Sequence, residues 1–138
     1  MGVKLPRCKV GRCKKIARHV GYCKTHATKR ADDKFSLVIR KDGKCYGQTR
    51  FWQGPTFPCG GYLSCCHLFS RKYRNVRWDA RNAVPMCGAH HSWFDQNPIE
   101  KDDMILEWLG LDYEMLRLQA LSNEDWRIRM ETVLRGEE

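Results

Sequence analysis

Cys8-x4-Cys13-x9-Cys23-x2-His26 puts four zinc-type donors into one short basic stretch. Structural zinc takes four such ligands in a tetrahedron, and the Cys-x2-His pair has zinc-knuckle spacing. Gly21, just ahead of that pair, allows the tight turn that aims both side chains at one ion. A module this short buries too little to fold alone, so bound metal would carry its stability. His19, between the ligand pairs, is expected on the surface. Cys87-x2-His90 repeats the knuckle spacing further on. Between and beside these sets stand His67, Asn82, His91 and Asp95. A neutral imidazole at His67 can take a proton from water near neutral pH. Asp95 follows His91 by four residues, so the two share a face if the segment is helical.

The stretch from Cys65 to Asp95 sets His67, Asn82 and His91 in register with further features. The first histidine is flanked by apolar residues and followed by an arginine-rich link. An Arg77-Trp78-Asp79-x-x-Asn82 turn and a Cys87-x2-His90-His91 ending complete the pattern. Together these resemble the HNH endonucleases, whose core is a β-hairpin followed by a helix around one metal. Among phage-encoded members the stretch looks most like the NinG-type recombination nucleases of lambdoid phages. The likeness covers about residues 40–100 and continues more loosely into the tail.

The resemblance implies an α+β chain: a small zinc-bound ββα-metal core, an N-terminal Cys3His zinc module and a C-terminal helical tail. It implies hydrolysis of DNA to a 5′-phosphate and a 3′-hydroxyl, in phage recombination or replication, with branched DNA among the candidate substrates. His67 would be the base. His91 takes the family's metal-ligand position and Asp95 joins it on a divalent ion, Mg²⁺, Mn²⁺, Ni²⁺ or Zn²⁺. Such an ion polarises the phosphate and stabilises the leaving oxygen. Asn82 takes the position that fixes the loop and orients the catalytic histidine, a task suited to an amide that both donates and accepts. One position departs from the pattern: the acid that precedes the catalytic histidine in many members is here Cys66. A thiolate prefers zinc to magnesium. Either Asp95 supplies the missing ligand, or the ion is softer than magnesium, or catalysis is impaired.

Cys87 and His90 sit where the family places its second structural pair. Cys45 and Cys59, both beside glycines or turn residues, are the candidates for the first pair, with Cys65 as the substitute ligand. Residues 46–58 would then be a loop insertion. His90 serves structural zinc and leaves His91 to catalysis, because adjacent side chains point differently. Arg71, Lys72, Arg74, Arg77 and Arg81 crowd the link between His67 and Asn82 and are read as phosphate contacts beside the cleft. Tyr73, Trp78, Trp93 and Phe94 are expected in the core, and Phe51-Trp52 as its cover.

Charge divides the chain into three. Residues 1–31 carry ten Lys/Arg and no acid, 32–98 carry ten against five, and 99–138 carry five against eleven, for a net +9. The basic front suits a polyanion, here DNA. These spans are taken as the zinc module, the ββα-metal core and a helical segment. Asn97-Pro98-Ile99-Glu100 reads as a capping box with proline at the first helical position. Ile105, Trp108 and Leu109 continue at helical spacing up to Gly110, a second helix runs from about Asp112 to Ala120 with Met115, Leu116 and Leu118 as its packing face, and a third starts after Ser122-Asn123-Glu124-Asp125. The acidic helices could form a homodimer interface, and packing within the monomer explains them equally. No stretch is apolar enough to span a bilayer, and no secretory leader follows Met1. The cytoplasm, in a bacterial host by resemblance, is the expected compartment; thiols stay reduced there and bind zinc in preference to forming disulfides. The alternative function is a non-catalytic zinc-dependent DNA-binding protein on the same scaffold, with Cys66 as its support. An RNA- or protein-binding adaptor has no need of His67, Asn82 and His91 in register.

Overall fold

The computed structural model describes residues 5–136. It is an α+β chain with five α-helices, two short 3-10 turns and one two-stranded sheet among the described residues; the α-helices and strands position the site. In order these are α1 (Lys24–Ile39), β1 (Leu63–His67), β2 (Ala83–Cys87), α2 (Gly88–Gln96), α3 (Pro98–Leu109), α4 (Asp112–Ala120) and α5 (Trp126–Arg135). No helix among the described residues is long and apolar enough to cross a membrane.

The two strands form an antiparallel pair in which Leu63 faces Cys87 and His67 faces Ala83. Pro85 is tolerated in β2 because a two-stranded sheet consists of edges. The link between the strands is a long loop, residues 68–82, closed by a single side chain. Asn82 is fully buried. Its Oδ1 accepts from the Phe69 N–H at 2.6 Å, and its Nδ2 donates to the carbonyls of Phe69 at 3.1 Å and Val76 at 3.0 Å. A buried amide with both ends satisfied holds such a loop where a hydrophobic residue would leave backbone groups unpaired.

Helix α1 runs straight through the charge boundary at residue 31. Ala27, Ala31 and Phe35 recur every four residues and give it a narrow buried stripe. That stripe packs on α5 through Met130, Val133 and Leu134, with Trp78 and Ala83 completing this core. Residues from all three charge segments therefore share one hydrophobic cluster. His19 is buried here, contrary to the surface position expected of it, because α5 folds back and offers Glu131 at 2.9 Å. The second core lies between the sheet, α2 and α3: Cys66, Leu68, Met86, Phe94, Met104 and Ile105. Trp78 and Phe94 are buried as expected, while Tyr73 and Trp93 are only half-buried. Trp52 covers the second core, 5.4 Å from the Trp93 ring centre, and Phe51 is exposed.

The helix ends differ in detail from the sequence expectations. Asn97 does precede α3, but its side chain makes no cap; Nδ2 instead donates to the Trp93 carbonyl at 2.7 Å, so the capping box does not form. Gly110, with φ of 52°, ends α3 as expected. The cap of α5 is Asp125, which accepts from the Arg127 N–H at 3.0 Å. Only Leu116 of the expected α4 face is buried; Met115 and Leu118 are 61% and 58% exposed.

Phe94 is fully buried in the second core and stacks on Trp108 at 5.4 Å. Phe94→Ala is expected to cost roughly 3–5 kcal/mol of stability, read from urea denaturation midpoints.

Candidate functional site

Two sets of donors converge. Cys8, Cys13, Cys23 and His26 form one, and Cys45, Cys59, Cys87 and His90 the other, with the ligand atoms of each set within 4.8 Å of one another. In both, the Cys-x2-His pair starts a helix: Cys23 precedes α1, Cys87 precedes α2, and each histidine lies in the first turn. In the first set His26 Nδ1 lies 3.4 Å from Cys8 Sγ and 3.2 Å from Cys23 Sγ, and Cys13 Sγ lies 3.9 Å from Cys23 Sγ. A tetrahedral zinc with bonds of about 2.3 Å to sulfur would hold two sulfurs about 3.8 Å apart. The chain turns into Cys23 through Val20 and Gly21, both at positive φ, 50° and 88°. Glycine takes this conformation freely and valine does not.

In the second set His90 Nδ1 lies 3.0 Å from Cys87 Sγ, 3.7 Å from Cys45 Sγ and 3.8 Å from Cys59 Sγ. Phe57 stacks on the His90 ring at 4.2 Å. A Cβ on Gly47 would stand 2.2 Å from a ring carbon of His90, so only glycine fits beside it. Burial works against ionising Cys8 and Cys87, but backbone N–H groups and the histidine of each set outweigh it and hold both thiols down at about 6. A Cys3His set with an easily ionised thiol is a donor arrangement that structural zinc takes. Cys65, the expected substitute, joins neither set. Cys59 fills the place, and Cys65 lines a cleft on the other side of β1.

That cleft has a volume of about 680 Å³. It gathers His67, His91 and Asp95 with Arg40, Arg71 and Lys101, and is bordered by Asp32, Ser64 and Cys65. His67 Nε2 lies 2.8 Å from the Arg77 carbonyl and so carries the proton, which leaves Nδ1 as an acceptor. Phe35 of α1 stacks on the His67 ring at 5.7 Å and 29°. Burial pushes the His67 pKa below its usual 6.5; the Arg77 carbonyl opposes this and the Arg71 charge adds to it.

His91 and Asp95 show a telling arrangement. The Ser64 hydroxyl donates its one proton to the Met86 carbonyl at 2.9 Å, so it must accept from His91 Nδ1, also at 2.9 Å. The lone pair of a neutral His91 then sits on Nε2, 3.3 Å from Asp95 Oδ2. Two acceptors this close need a proton or a cation between them. Lys101 reaches the other Asp95 oxygen at 2.8 Å. Cys66 takes no part: it is 0% exposed, and burial, with Asp95 nearby, pushes its thiol up to about 12.

Of the five expected phosphate contacts only Arg71 lines the cleft. Lys72 lies over the Tyr73 ring at 5.1 Å, and Arg74 over Trp126 at 4.5 Å. Arg77 is clamped by both oxygens of Asp32, with Nε to Oδ1 at 2.9 Å, and Arg81 pairs with Asp79 at 2.8 Å. These carboxylates are distant in sequence or on the neighbouring turn, so the charge run by itself does not reveal the pairing. Arg40, Lys101, Ser64, Asp32 and Phe35 were not among the expected site residues. Three of the five lie in α1 or α3 and Arg40 caps the end of α1; these elements enter the site only through tertiary packing.

No family model, no curated protein and no solved structure matches the sequence.

Elemental analysis of the purified protein is expected to find two metal ions per chain, one for each donor set. Cys87→Ser should lower this to one and unfold the second core, seen as loss of the cooperative thermal transition. An unchanged metal content would show that Cys87 is no ligand.

Proposed function

We propose that the chain is a metal-dependent HNH-type endonuclease that hydrolyses DNA phosphodiester bonds, with zinc in both Cys3His sets. One observation carries the reading. A histidine with a free, low-pKa nitrogen and a His91–Asp95 acceptor pair open into one cleft that also holds three cationic side chains. His67 Nδ1 accepts the proton of the attacking water. The Arg77 carbonyl fixes the tautomer that leaves Nδ1 free. Asp32 holds Arg77 and also accepts from the Trp78 indole N–H at 3.0 Å, which keeps that carbonyl in place. Asn82 closes the loop on which Arg77 sits. Arg40, Arg71 and Lys101 offer charge to the scissile and flanking phosphates. A divalent ion held by His91 Nε2 and Asp95 would polarise the phosphate and stabilise the leaving oxygen. The setting that goes with this chemistry is phage recombination or replication in the host cytoplasm, and it rests on the resemblance alone.

A second reading, a DNA-binding scaffold without catalysis, is favoured by Cys66. A buried protonated thiol at that position leaves the ion with two protein ligands. The two readings part in one experiment: supercoiled plasmid and a branched oligonucleotide, incubated with Mg²⁺, Mn²⁺, Ni²⁺ or Zn²⁺, with the wild type and His67→Ala. Cleavage that falls by about 10²–10⁴ in the variant while DNA binding persists is the expected result. Intact DNA with every ion selects the scaffold.

The pH profile follows from His67. The base acts in its neutral form and its pKa lies below 6.5, so the rate should be level at neutral pH and fall only as pH drops through that lowered value. Asp32→Asn should slow single-turnover cleavage by up to about 10²-fold with little change in binding, since it frees the carbonyl that aims His67. Asp32→Glu should restore part of the rate.

A further inference from the structure

Trp126 opens α5 and carries cations from three parts of the chain. Lys24 Nζ lies 5.4 Å from its ring centroid, the Arg74 guanidinium 4.5 Å and the Arg127 guanidinium 4.6 Å. No two of these charges can then be more than about 10 Å apart, within one Debye length at ordinary salt, so they repel one another without much screening. Among the described residues neither Lys24 nor Arg74 forms an ion pair, and Arg127 has only its own cap residue, Asp125, at 3.3 Å. Arg74 is half-buried and its Nη1 is wholly buried without a hydrogen-bond partner. Burial and the charges of Arg77 and Arg127 push its pKa down, against the opposing charge of Asp32.

The arrangement is built into the fold. Lys24 directly follows Cys23, so the first donor set fixes where it stands. Arg74 is placed by the loop tip, where Asn75 donates to the Ser122 carbonyl at 2.9 Å and accepts from Gln119 at 3.0 Å. A gathering of like charges is costly in the isolated chain, and an anion bound there relieves that cost. The cations occupy the indole, so it offers little face to a nucleobase, and phosphate is the group whose charge and acceptors match the cluster.

We propose that Lys24, Arg74 and Arg127 form a second DNA-backbone site, outside the cleft, that holds the strand flanking the cut. Asp32, which borders the cleft, lies eight residues along α1 from Lys24, about 12 Å at helical rise. Arg71, in the cleft, and Arg74 belong to the same loop, so one loop spans both sites. The choice of DNA as the polyanion rests on the nuclease reading; the site itself does not depend on cleavage.

The test uses full-length His67→Ala, which holds DNA uncut, and a duplex of about 30 base pairs. Affinity is measured by fluorescence anisotropy across a salt series, with and without Lys24→Gln, Arg74→Gln and Arg127→Gln together. Each lost phosphate contact should reduce the log–log salt slope by about 0.9, so the triple variant should lose about 2.7. Lys24→Gln with Arg127→Gln alone, both at exposed positions, should lose about 1.8 and covers the case in which Arg74→Gln fails to fold. An unchanged slope and affinity, or a loss seen with duplex RNA but not with DNA, would overturn the proposal. If the wild type cuts nothing with any ion and the slope still falls, the nuclease reading fails and the second site stands.

Discussion

A cysteine in extended conformation at the start of a helix and a histidine in that helix's first turn: this pairing occurs twice, at Cys23–His26 and Cys87–His90, and the rest of the molecule is arranged from it. Each pair draws two further thiols from an irregular segment, residues 8–13 and 45–59. The first sets the direction of α1, which supplies Asp32 to one wall of the cleft, brings Arg40 there at its C-terminal end and stacks Phe35 on His67. The second sets the direction of α2, which supplies His91 and Asp95 to the other. Two small hydrophobic cores and a two-stranded sheet would hold these walls weakly by themselves. The convergence of donors is what lets a short chain present them at fixed spacing.

Within the cleft, electrostatics decides what each group can do. Donation by the Ser64 hydroxyl to Met86 forces His91 to turn its proton inward and its lone pair toward Asp95. The Arg77 carbonyl does the corresponding thing to His67 with the opposite ring nitrogen. Both tautomers are thus set by backbone carbonyls, one directly and one through a hydroxyl. Lys101 on Asp95 marks where positive charge is wanted before any ion or substrate arrives. The fully buried Asn82 carries no chemistry, yet it holds the loop that supplies Arg77.

Both donor sets were legible in the sequence because cysteine and histidine at knuckle spacing have few other uses, and the set members 45 and 59 lay beside turn-forming glycines. The tail helices were legible from periodicity, whereas the α+β class was expected from the resemblance. What stayed hidden has a common cause. Helix α1 buries only two alanines and a phenylalanine, a stripe too narrow to stand out among its charges. The burial of His19, the clamping of Arg77 by Asp32 and the pairing of Arg81 with Asp79 depend on which segment folds back on which, and a charge run contains no such information. Cys66 looked like a stand-in for a metal-binding acid, but strand alternation puts its side chain into the core beside Met86 and Phe94. Met115 and Leu118 fit a helical stripe, and nothing within the described chain covers them.

In the proposed reaction this cleft makes water attack a DNA phosphate. Cleavage carried out in water enriched in ¹⁸O, followed by mass analysis of the fragment ends, tests it most directly. The proposed reaction predicts one labelled oxygen in a 5′-phosphate end produced by the wild type, with a free 3′-hydroxyl opposite, and loss of that product in His67→Ala. Unlabelled ends, a 3′-phosphate, or the same labelled product at undiminished rate without His67 would contradict it.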